Sequence, residues 1–143
     1  MPTSKEARAV WKSGTEFEVT ALVSGFSVRT DGGGKKAISP MELLLAALAG
    51  CTGADVISIL EKKRQNVTAF EVRVHGDRAE AHPRKYTNIE ITYALTGQGL
   101  DPEAVRRAIE LSEAKYCSVA ATLGEGAKIT TRFEIQEAEA MGA

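Results

Sequence analysis

Cys51 and Cys117 are the two cysteines of this 143-residue chain, and thiols are its most chemically reactive side-chain type. The first twelve residues, Met1 to Lys12, are charged and lack the apolar core of a secretory signal. We therefore expect a cytoplasmic protein, and in a reducing compartment a disulfide is more often transient and catalytic than structural. The cysteine pair predicts redox chemistry.

Cys51 lies near the middle of a long apolar segment, Ser39 to Arg64, which predicts a helix. Ser39 and Glu42 have the spacing of a capping box, and Pro40 suits the first helical position. From Leu43 to Leu48 the segment is apolar on every side, which is typical of a central helix surrounded by other elements.

A membrane span is the competing interpretation of this helix. Glu42, Asp55 and Ser58 interrupt the apolar run before it reaches the ~18 uncharged residues of a typical span. We predict no membrane partner. Nor do we predict a nucleic-acid partner, because 18 basic and 19 acidic residues leave a net charge of −1 without an extended basic patch.

Four segments alternate apolar and polar residues with the period of two that indicates half-buried strands. They are Phe17 to Val23, Phe70 to Val74, Ile89 to Leu95 and Ile129 to Ile135. A second, amphipathic helix is predicted from Glu103 to about Tyr116, with Val105, Ala108, Ile109 and Ser112 on its apolar stripe.

This order of elements predicts one α+β domain, residues 1–143, in which an antiparallel sheet covers the long central helix. A helix that is apolar on all sides needs more cover than one sheet and one modest helix provide. A second copy of the chain is the simplest source, so we predict an intertwined homodimer.

Both cysteines have a bland and a functional interpretation. Gly50 and Gly53 flank Cys51 and indicate a close approach by another element, in which case Cys51 is merely a small hydrophobic residue. Cys117 follows a predicted helix and begins another short one, where backbone N–H groups could favour a thiolate; its bland interpretation is an ordinary buried or helix-N-terminal thiol.

The segments P-M-E-L-L-L-A-A-L-A-G-C and Y-C-S-V, flanked by strands in this order, resemble the OsmC/Ohr family of thiol peroxidases. The resemblance extends from Trp11 to Glu134. It is strongest to the YhfA-like branch. The segments of this chain that resemble characteristic segments of that branch are S-P-M-E, D-V-I-S-I-L-E-K-K-R-Q-N-V and H-P-R-K-Y-T-N-I.

The resemblance implies a dimeric enzyme that reduces organic hydroperoxides without a cofactor. Cys51 matches the peroxidatic cysteine and Cys117 the resolving one, so a Cys51 sulfenic acid would condense with Cys117 into a disulfide. A cellular dithiol, of lipoyl type in this family, would then reduce the disulfide.

The family activates its cysteine with an arginine held by a glutamate. The segment G-F-S-V-R-T-D-G resembles the one that carries this arginine and nominates Arg29, which could equally be a solvated strand residue. Met41 occupies the position of the glutamate, while Glu42, at ~100° per residue, lies roughly opposite Cys51 on the helix. A substitute cation could come from Arg84 or from a partner subunit. Alternatively, Cys51 has no activating cation.

Three further residues are weaker candidates. His75 and His82 have no metal-binding spacing and are interpreted as surface residues, so no metal site is predicted. Asp55, one turn after Cys51, would oppose thiolate formation unless it pairs with Arg or Lys, and we expect it to interact with a neighbouring cation. The alternative function is a non-catalytic protein on the same fold that binds a small ligand or senses redox state.

Overall fold

The computed structural model describes residues 3–139. Its internal contacts divide the chain into two compact units, one ending at Leu44 and the other beginning at Leu45. The single domain spanning residues 1–143 stays a prediction. The elements themselves are those of an α+β protein, as predicted.

The N-terminal unit contains an antiparallel three-stranded sheet in the order β1-β2-β3. Its strands are β1 (Ala7–Ser13), β2 (Glu16–Ala21) and β3 (Ser27–Asp31). Only β2 was predicted from alternation. All seven residues of β1 are exposed, so this strand lacks the burial that creates an alternating pattern.

Asp31, at the end of β3, organises the glycine-rich loop that follows. Its carboxylate accepts a hydrogen bond from the Thr15 hydroxyl and from the backbone N–H groups of Gly33 (3.1 Å), Lys35 (3.2 Å) and Lys36 (3.0 Å). The Thr15 hydroxyl and these N–H groups hold the pKa of Asp31 far below its ordinary value, despite the opposing effect of burial.

The long helix α1 spans Pro40–Lys62, close to the predicted range. The capping box is confirmed: the Ser39 N–H donates to Glu42 Oε1 at 3.0 Å, and the Glu42 N–H donates to Ser39 Oγ at 3.2 Å. The Ser39 backbone N–H and hydroxyl lower the pKa of Glu42. Capping therefore accounts for this carboxylate.

The C-terminal end of α1 has the hydrogen bonds of a Schellman motif. Arg64 adopts a left-handed conformation with φ of 57°. The Arg64 N–H donates to the Glu61 carbonyl, and the Gln65 N–H donates to the Leu60 carbonyl, each at 3.0 Å. The helix thus ends without the glycine that usually occupies this position.

Within the described chain, α1 is buried along one stripe rather than on all sides. The buried residues, each one turn after the last, are Leu48, Thr52, Val56 and Leu60. By length and composition α1 also meets the requirement for a membrane span, so its charges do not exclude one by themselves. Core helices of globular proteins meet the same requirement, and the lack of a membrane partner stays a prediction.

The C-terminal unit contains a second three-stranded sheet in the order β4-β5-β6. Its strands are β4 (Asn66–Arg78), β5 (Tyr86–Gln98) and β6 (Lys128–Glu137). β4 and β5 are antiparallel, but β5 and β6 are parallel, so the prediction of a purely antiparallel sheet is wrong. The connection from β5 to β6 passes through helical segments and is long enough for a parallel crossover.

That connection contains α2 (Pro102–Leu111), a π-helical turn (Ser112–Tyr116) and α3 (Ser118–Gly124). The predicted second helix is thus confirmed in its first part, where Asp101 Oδ1 accepts from the Glu103 N–H at 3.0 Å and caps α2. The π-helical turn was not predicted. Turns of this kind often occur at functional sites.

The core of the C-terminal unit lies between α1, α2 and the central strand β5. Its fully buried side chains are contributed by all three elements and include Leu48, Val56, Leu60, Ile89, Ile91, Tyr93, Leu95 and Val105. Gly53 of α1 lies against β4, because a Cβ atom there would be 3.3 Å from Val72 Cγ2. The expected close approach is therefore seen at Gly53, whereas a Cβ on Gly50 would meet no described atom within 4 Å.

Candidate functional site

Cys51 lies on α1 next to the buried stripe and is half-buried. The residue that follows it, Thr52, is 1% exposed and belongs to the stripe. Successive helical residues are about 100° apart, so the Cys51 side chain lies at the edge of the covered face. A small molecule from solvent can therefore approach the Cys51 sulfur more easily than it could approach a fully buried sulfur.

Cys117 connects the π-helical turn to α3 and is 3% exposed. It is the N-cap of α3, and its Sγ accepts a hydrogen bond from the Ala120 N–H at 3.4 Å. The prediction that Cys117 begins a short helix is confirmed. A sulfur at this position acts as the hydroxyl of a serine cap does.

The structure brings Cys51 and Cys117 together. Their two Sγ atoms and a carboxylate oxygen of Asp55 all lie within 4.8 Å of one another. Both cysteines are free thiols. Because a disulfide needs its sulfurs about 2.05 Å apart, a modest movement would suffice to join them.

The pKa of the Cys117 thiol is raised to about 11, chiefly by burial and to a smaller extent by a hydrogen bond with Cys51. The Ala120 N–H acts in the opposite direction but is the weaker influence. The expectation that helix N–H groups favour a thiolate at Cys117 is therefore right about the contact and wrong about the net result. Desolvation dominates because the sulfur is almost wholly removed from water.

Asp55 lies one turn after Cys51 and completes this cluster. We expected it to pair with a cation, but none of the ion pairs formed by residues 3–139 involves it. Instead, the Ser112 hydroxyl donates to Asp55 Oδ2 at 3.0 Å. The π-helical turn therefore supplies the partner of this carboxylate.

A chain of buried hydroxyls extends from Asp55 to the central strand. Ser112 Oγ lies 2.9 Å from Thr52 Oγ1, which lies 2.5 Å from the hydroxyl of Tyr93. Each hydroxyl carries one proton, and Ser112 donates its own to Asp55. Thr52 must then donate to Ser112, and Tyr93 to Thr52, so every donor in the chain points toward the carboxylate.

Burial raises the pKa of Tyr93 to about 12, although its hydrogen bond with Thr52 lowers it in part. The phenol therefore stays protonated and can act as the first donor of the chain. Hydrogen bonds aligned in this way polarise one another in a low-dielectric interior.

Sequence reasoning missed this chain of hydroxyls, although it had partial signals. Ser112 lay on the apolar stripe of the predicted second helix, and Thr52 lay within the most apolar segment. A hydroxyl in such a position needs a partner when it is buried. The identity of that partner depends on how α1, β5 and the π-helical turn pack together.

Arg29 lies on β3 in the N-terminal unit. Its Nη1 is 3.7 Å from Glu16 Oε1, and its side chain is 48% exposed. The other candidate cation, Arg84, precedes β5, and its carbonyl accepts from Arg78 Nε at 2.8 Å. His75 and His82 are exposed, as predicted.

A groove of about 320 Å³ begins at Asp55. It is lined by residues of α1 and of the segment that follows α2, namely Asp55, Ser58, Ile59, Lys62, Leu111 and Tyr116. Ile59, Leu111 and Tyr116 make part of its surface apolar. The groove therefore offers space for an organic group beside the cysteine cluster.

Comparison with known proteins gives the same family as the sequence motifs. The family model described as OsmC-like protein matches residues 32–132. The chain is 43% identical to Protein YhfA of Escherichia coli (strain K12) over 131 residues, which cover 91% of this chain and 97% of that protein.

Two solved structures show the same fold. A hypothetical protein from Aquifex aeolicus VF5 is 33% identical and has a TM-score of 0.87, over 96% of this chain and 100% of the other. The organic hydroperoxide resistance protein OhrB of Bacillus subtilis is 14% identical with a TM-score of 0.60, over 92% and 98% of the two chains. With its helices, sheets and cysteine pair, this chain is a member of the OsmC family.

Proposed function

We propose that this protein is a cysteine-based thiol peroxidase that reduces organic hydroperoxides to alcohols. Cys51 attacks the terminal peroxide oxygen, the O–O bond breaks, and the alcohol leaves after taking up a proton. Cys51 is then a sulfenic acid. The Cys117 sulfur displaces its oxygen as water, which forms the Cys51–Cys117 disulfide, and a dithiol reductant, of lipoyl type by family resemblance, restores the two thiols.

The observation that carries this proposal is the arrangement of the two sulfurs. They lie within 4.8 Å of each other, although 65 residues separate them along the chain. Family membership supports the same chemistry, and the Bacillus subtilis neighbour is named for organic hydroperoxide resistance.

The unequal burial of the thiols supports their division of roles. Cys51 is half-buried and can meet a peroxide, whereas Cys117 is 3% exposed. The raised pKa of Cys117, about 11, keeps it a thiol that does not compete for the peroxide. A resolving cysteine needs only to reach the neighbouring sulfenic acid.

The groove beside Asp55 supports an organic rather than a purely inorganic peroxide. An alkyl or aryl tail placed against Ile59, Leu111 and Tyr116 would leave water, which favours binding by about 25 cal/mol per Å² of apolar surface. Hydrogen peroxide has no such tail.

Thiolate formation at Cys51 needs a cation, because Asp55 lies close to it and opposes negative charge. Arg29 is the proposed source, by its resemblance to the family's arginine. Arg84 and a group from a partner subunit are the alternatives. A cation within about 4–6 Å of an acidic group typically lowers its pKa by 1–3 units.

The proposed enzyme acts as a homodimer in the cytoplasm. Support for a dimer comes from the uncovered part of α1 and from apolar side chains that stay exposed in the single chain, among them Leu44 (39%), Trp11 (64%) and Phe26 (80%). Exposed apolar groups of this size often belong to interfaces.

The decisive experiment measures free thiols in reduced protein after cumene hydroperoxide or hydrogen peroxide is added. We expect rapid loss of both thiols with the organic peroxide, no rapid loss in Cys51→Ser, and a trapped sulfenic acid in Cys117→Ser. Thiols that survive an excess of both peroxides would overturn the proposal and favour the non-catalytic ligand-binding or redox-sensing function.

The source of the cation is tested by comparing Arg29→Gln with Arg84→Gln. If Arg29 stabilises the thiolate, its loss slows thiol oxidation at pH 7 by about tenfold or more, and raising the pH restores most of the rate. Arg84→Gln serves as the matched charge deletion and should change little. The reverse pattern would assign the role to Arg84.

A further inference from the structure

The cysteine cluster contains a carboxylate that redox chemistry of the two sulfurs does not require. A peroxidase of the proposed type needs two sulfurs, whereas this cluster adds a carboxylate within 4.8 Å of both. Two sulfurs and one carboxylate oxygen are ligands that Zn²⁺ accepts in proteins. We propose that the reduced protein binds one thiophilic divalent cation, of which Zn²⁺ is the natural type, through Cys51, Asp55 and Cys117.

The spacing of the donors fits such an ion. Zn–S distances of about 2.3 Å and Zn–O distances of about 2.0–2.2 Å in a tetrahedron place the donor atoms roughly 3.5–3.8 Å apart. The three donor atoms of the cluster lie within 4.8 Å of one another before any ion is bound. A closure of about 1 Å by side-chain rotation would complete three of the four positions.

The backbone positions these ligands from two rigid elements. Cys51 and Asp55 are four residues apart on α1, which places both side chains on one face of the helix. Cys117 is held at the N-cap of α3 by the hydrogen bond from Ala120. Two ligands from one helix turn and a third from a helix start form a compact metal-binding geometry.

The hydroxyl chain supplies what a metal ligand needs from the residues around it. Ser112 donates to one oxygen of Asp55, Oδ2, and so orients the carboxylate while leaving its other oxygen for an ion. Ser112 is in turn held by Thr52, and Thr52 by Tyr93. Outer partners of this kind typically contribute 10–100-fold to metal affinity.

The charge balance also favours a divalent cation. Two thiols and one carboxylate carry a net charge of −1. When both thiols ionise and Zn²⁺ binds, the site still carries −1, and two protons pass to the solvent. The ion thus replaces two protons without adding net charge to a partly buried site, which limits the desolvation cost.

The half-buried Cys51 leaves one side of the cluster open to solvent, so that an ion can enter and a water molecule can occupy the fourth position. One consequence rests on the proposed peroxidase function. A bound ion occupies the sulfur that attacks the peroxide, and a Cys51–Cys117 disulfide removes two of the three ligands. Metal binding and turnover would then exclude each other.

The test is a titration of reduced, metal-free protein with Cd²⁺, followed by its sulfur-to-metal charge-transfer absorption, and with Zn²⁺ against a chromophoric chelator. We expect one ion per chain and an absorption proportional to two thiolates. Asp55→Asn, which keeps the side-chain shape and an oxygen acceptor for Ser112, should weaken binding at least tenfold. Ser112→Ala should weaken it by about tenfold.

Asp77→Asn is the matched control, because it removes an exposed carboxylate that lies 3.0 Å from His75 Nε2 and should leave the affinity unchanged. Circular dichroism of each variant verifies folding. The proposal is overturned if no charge-transfer band develops, or if Asp55→Asn binds as tightly as the unaltered protein. Peroxide oxidation is measured separately in chelator, so either proposal can fail without the other.

Discussion

Asp31 and Asp55 are two carboxylates in different regions of the molecule. The surroundings of Asp31 suit a structural role, whereas those of Asp55 suit a chemical one. Asp31 accepts hydrogen bonds from the Thr15 hydroxyl and from three backbone N–H groups of the loop after β3. Asp55 accepts one hydrogen bond, from Ser112, among the interactions of residues 3–139, and lies beside two sulfurs.

This difference determines what each carboxylate can do. At Asp31 the oxygens are already occupied by donors, and these hydrogen bonds both hold the loop and lower the pKa of the carboxyl. At Asp55 one oxygen is oriented by the Ser112 hydroxyl, and the carboxylate lies beside two thiols that can ionise, condense or bind a cation. A carboxylate with spare acceptor capacity next to two nucleophilic thiols is the better candidate for chemistry.

The largest expected effect concerns the reactivity of Cys117. With its pKa raised to about 11, chiefly by burial, its thiolate fraction at pH 8.5 should be about 100-fold below that of an ordinary cysteine. Cys51→Ser removes the smaller contribution of Cys51 but keeps the burial, so alkylation of Cys117 by iodoacetamide in this variant should still be slow at pH 8.5 and accelerate as the pH rises, as mass spectrometry can follow. Alkylation at the rate of a cysteine in an unstructured peptide would contradict the burial of Cys117.

The next effect concerns the hydroxyl chain. Thr52→Val keeps the side-chain shape but leaves Tyr93 and Ser112 without a shared partner, which should lower the free energy of unfolding by about 1–3 kcal/mol. Thr68→Val is the control, since the exposed Thr68 hydroxyl donates to the Thr96 carbonyl and its loss should change stability by about 0.5 kcal/mol or less. Urea unfolding of both variants measures the difference, and equal effects would contradict a stabilising role for the buried hydroxyl chain.

The Asp31 loop should show its effect in acid. Because the folded-state pKa of Asp31 lies below the unfolded value of about 3.9, its carboxylate stabilises the fold above that pH, and this contribution is lost as the pH falls toward the folded-state pKa. Asp31→Asn should lower the melting temperature at pH 7 by several degrees and reduce the additional loss between pH 5 and pH 3. An unchanged acid sensitivity would mean that other groups cause it.

The smallest effect tests the proposed dimer on α1. In an isolated chain Gly50→Ala should gain up to about 1 kcal/mol of helix stability, since a Cβ there meets no described atom within 4 Å. If a second subunit packs at Gly50, the same change should weaken the dimer, which sedimentation over a range of concentrations would detect. Gly53→Ala is the comparison, because its Cβ would meet Val72 at 3.3 Å whether or not a dimer forms.

The elements that the sequence predicted well are those whose signals are local. The capping box of Ser39 and Glu42, the start of α2 near Glu103, and the alternating strands β2, β4, β5 and β6 each depend on neighbouring residues. β1 was missed because all of its residues are exposed, and β3 because its two buried residues, Thr30 and Asp31, are adjacent and polar. The parallel pairing of β6 was missed because strand direction depends on where the chain returns, which periodicity does not encode.

By itself, the sequence determined the family, the α+β elements and the two cysteines, because cap residues, hydrophobic periods and motifs act over short stretches of chain. Tertiary structure alone decided that Asp55 binds Ser112 rather than a cation, that burial outweighs the helix N–H group at Cys117, and that four hydroxyl and carboxylate groups form one chain. Those outcomes depend on desolvation and on contacts between residues far apart in sequence. Both arise only when α1 packs against β5 and the π-helical turn.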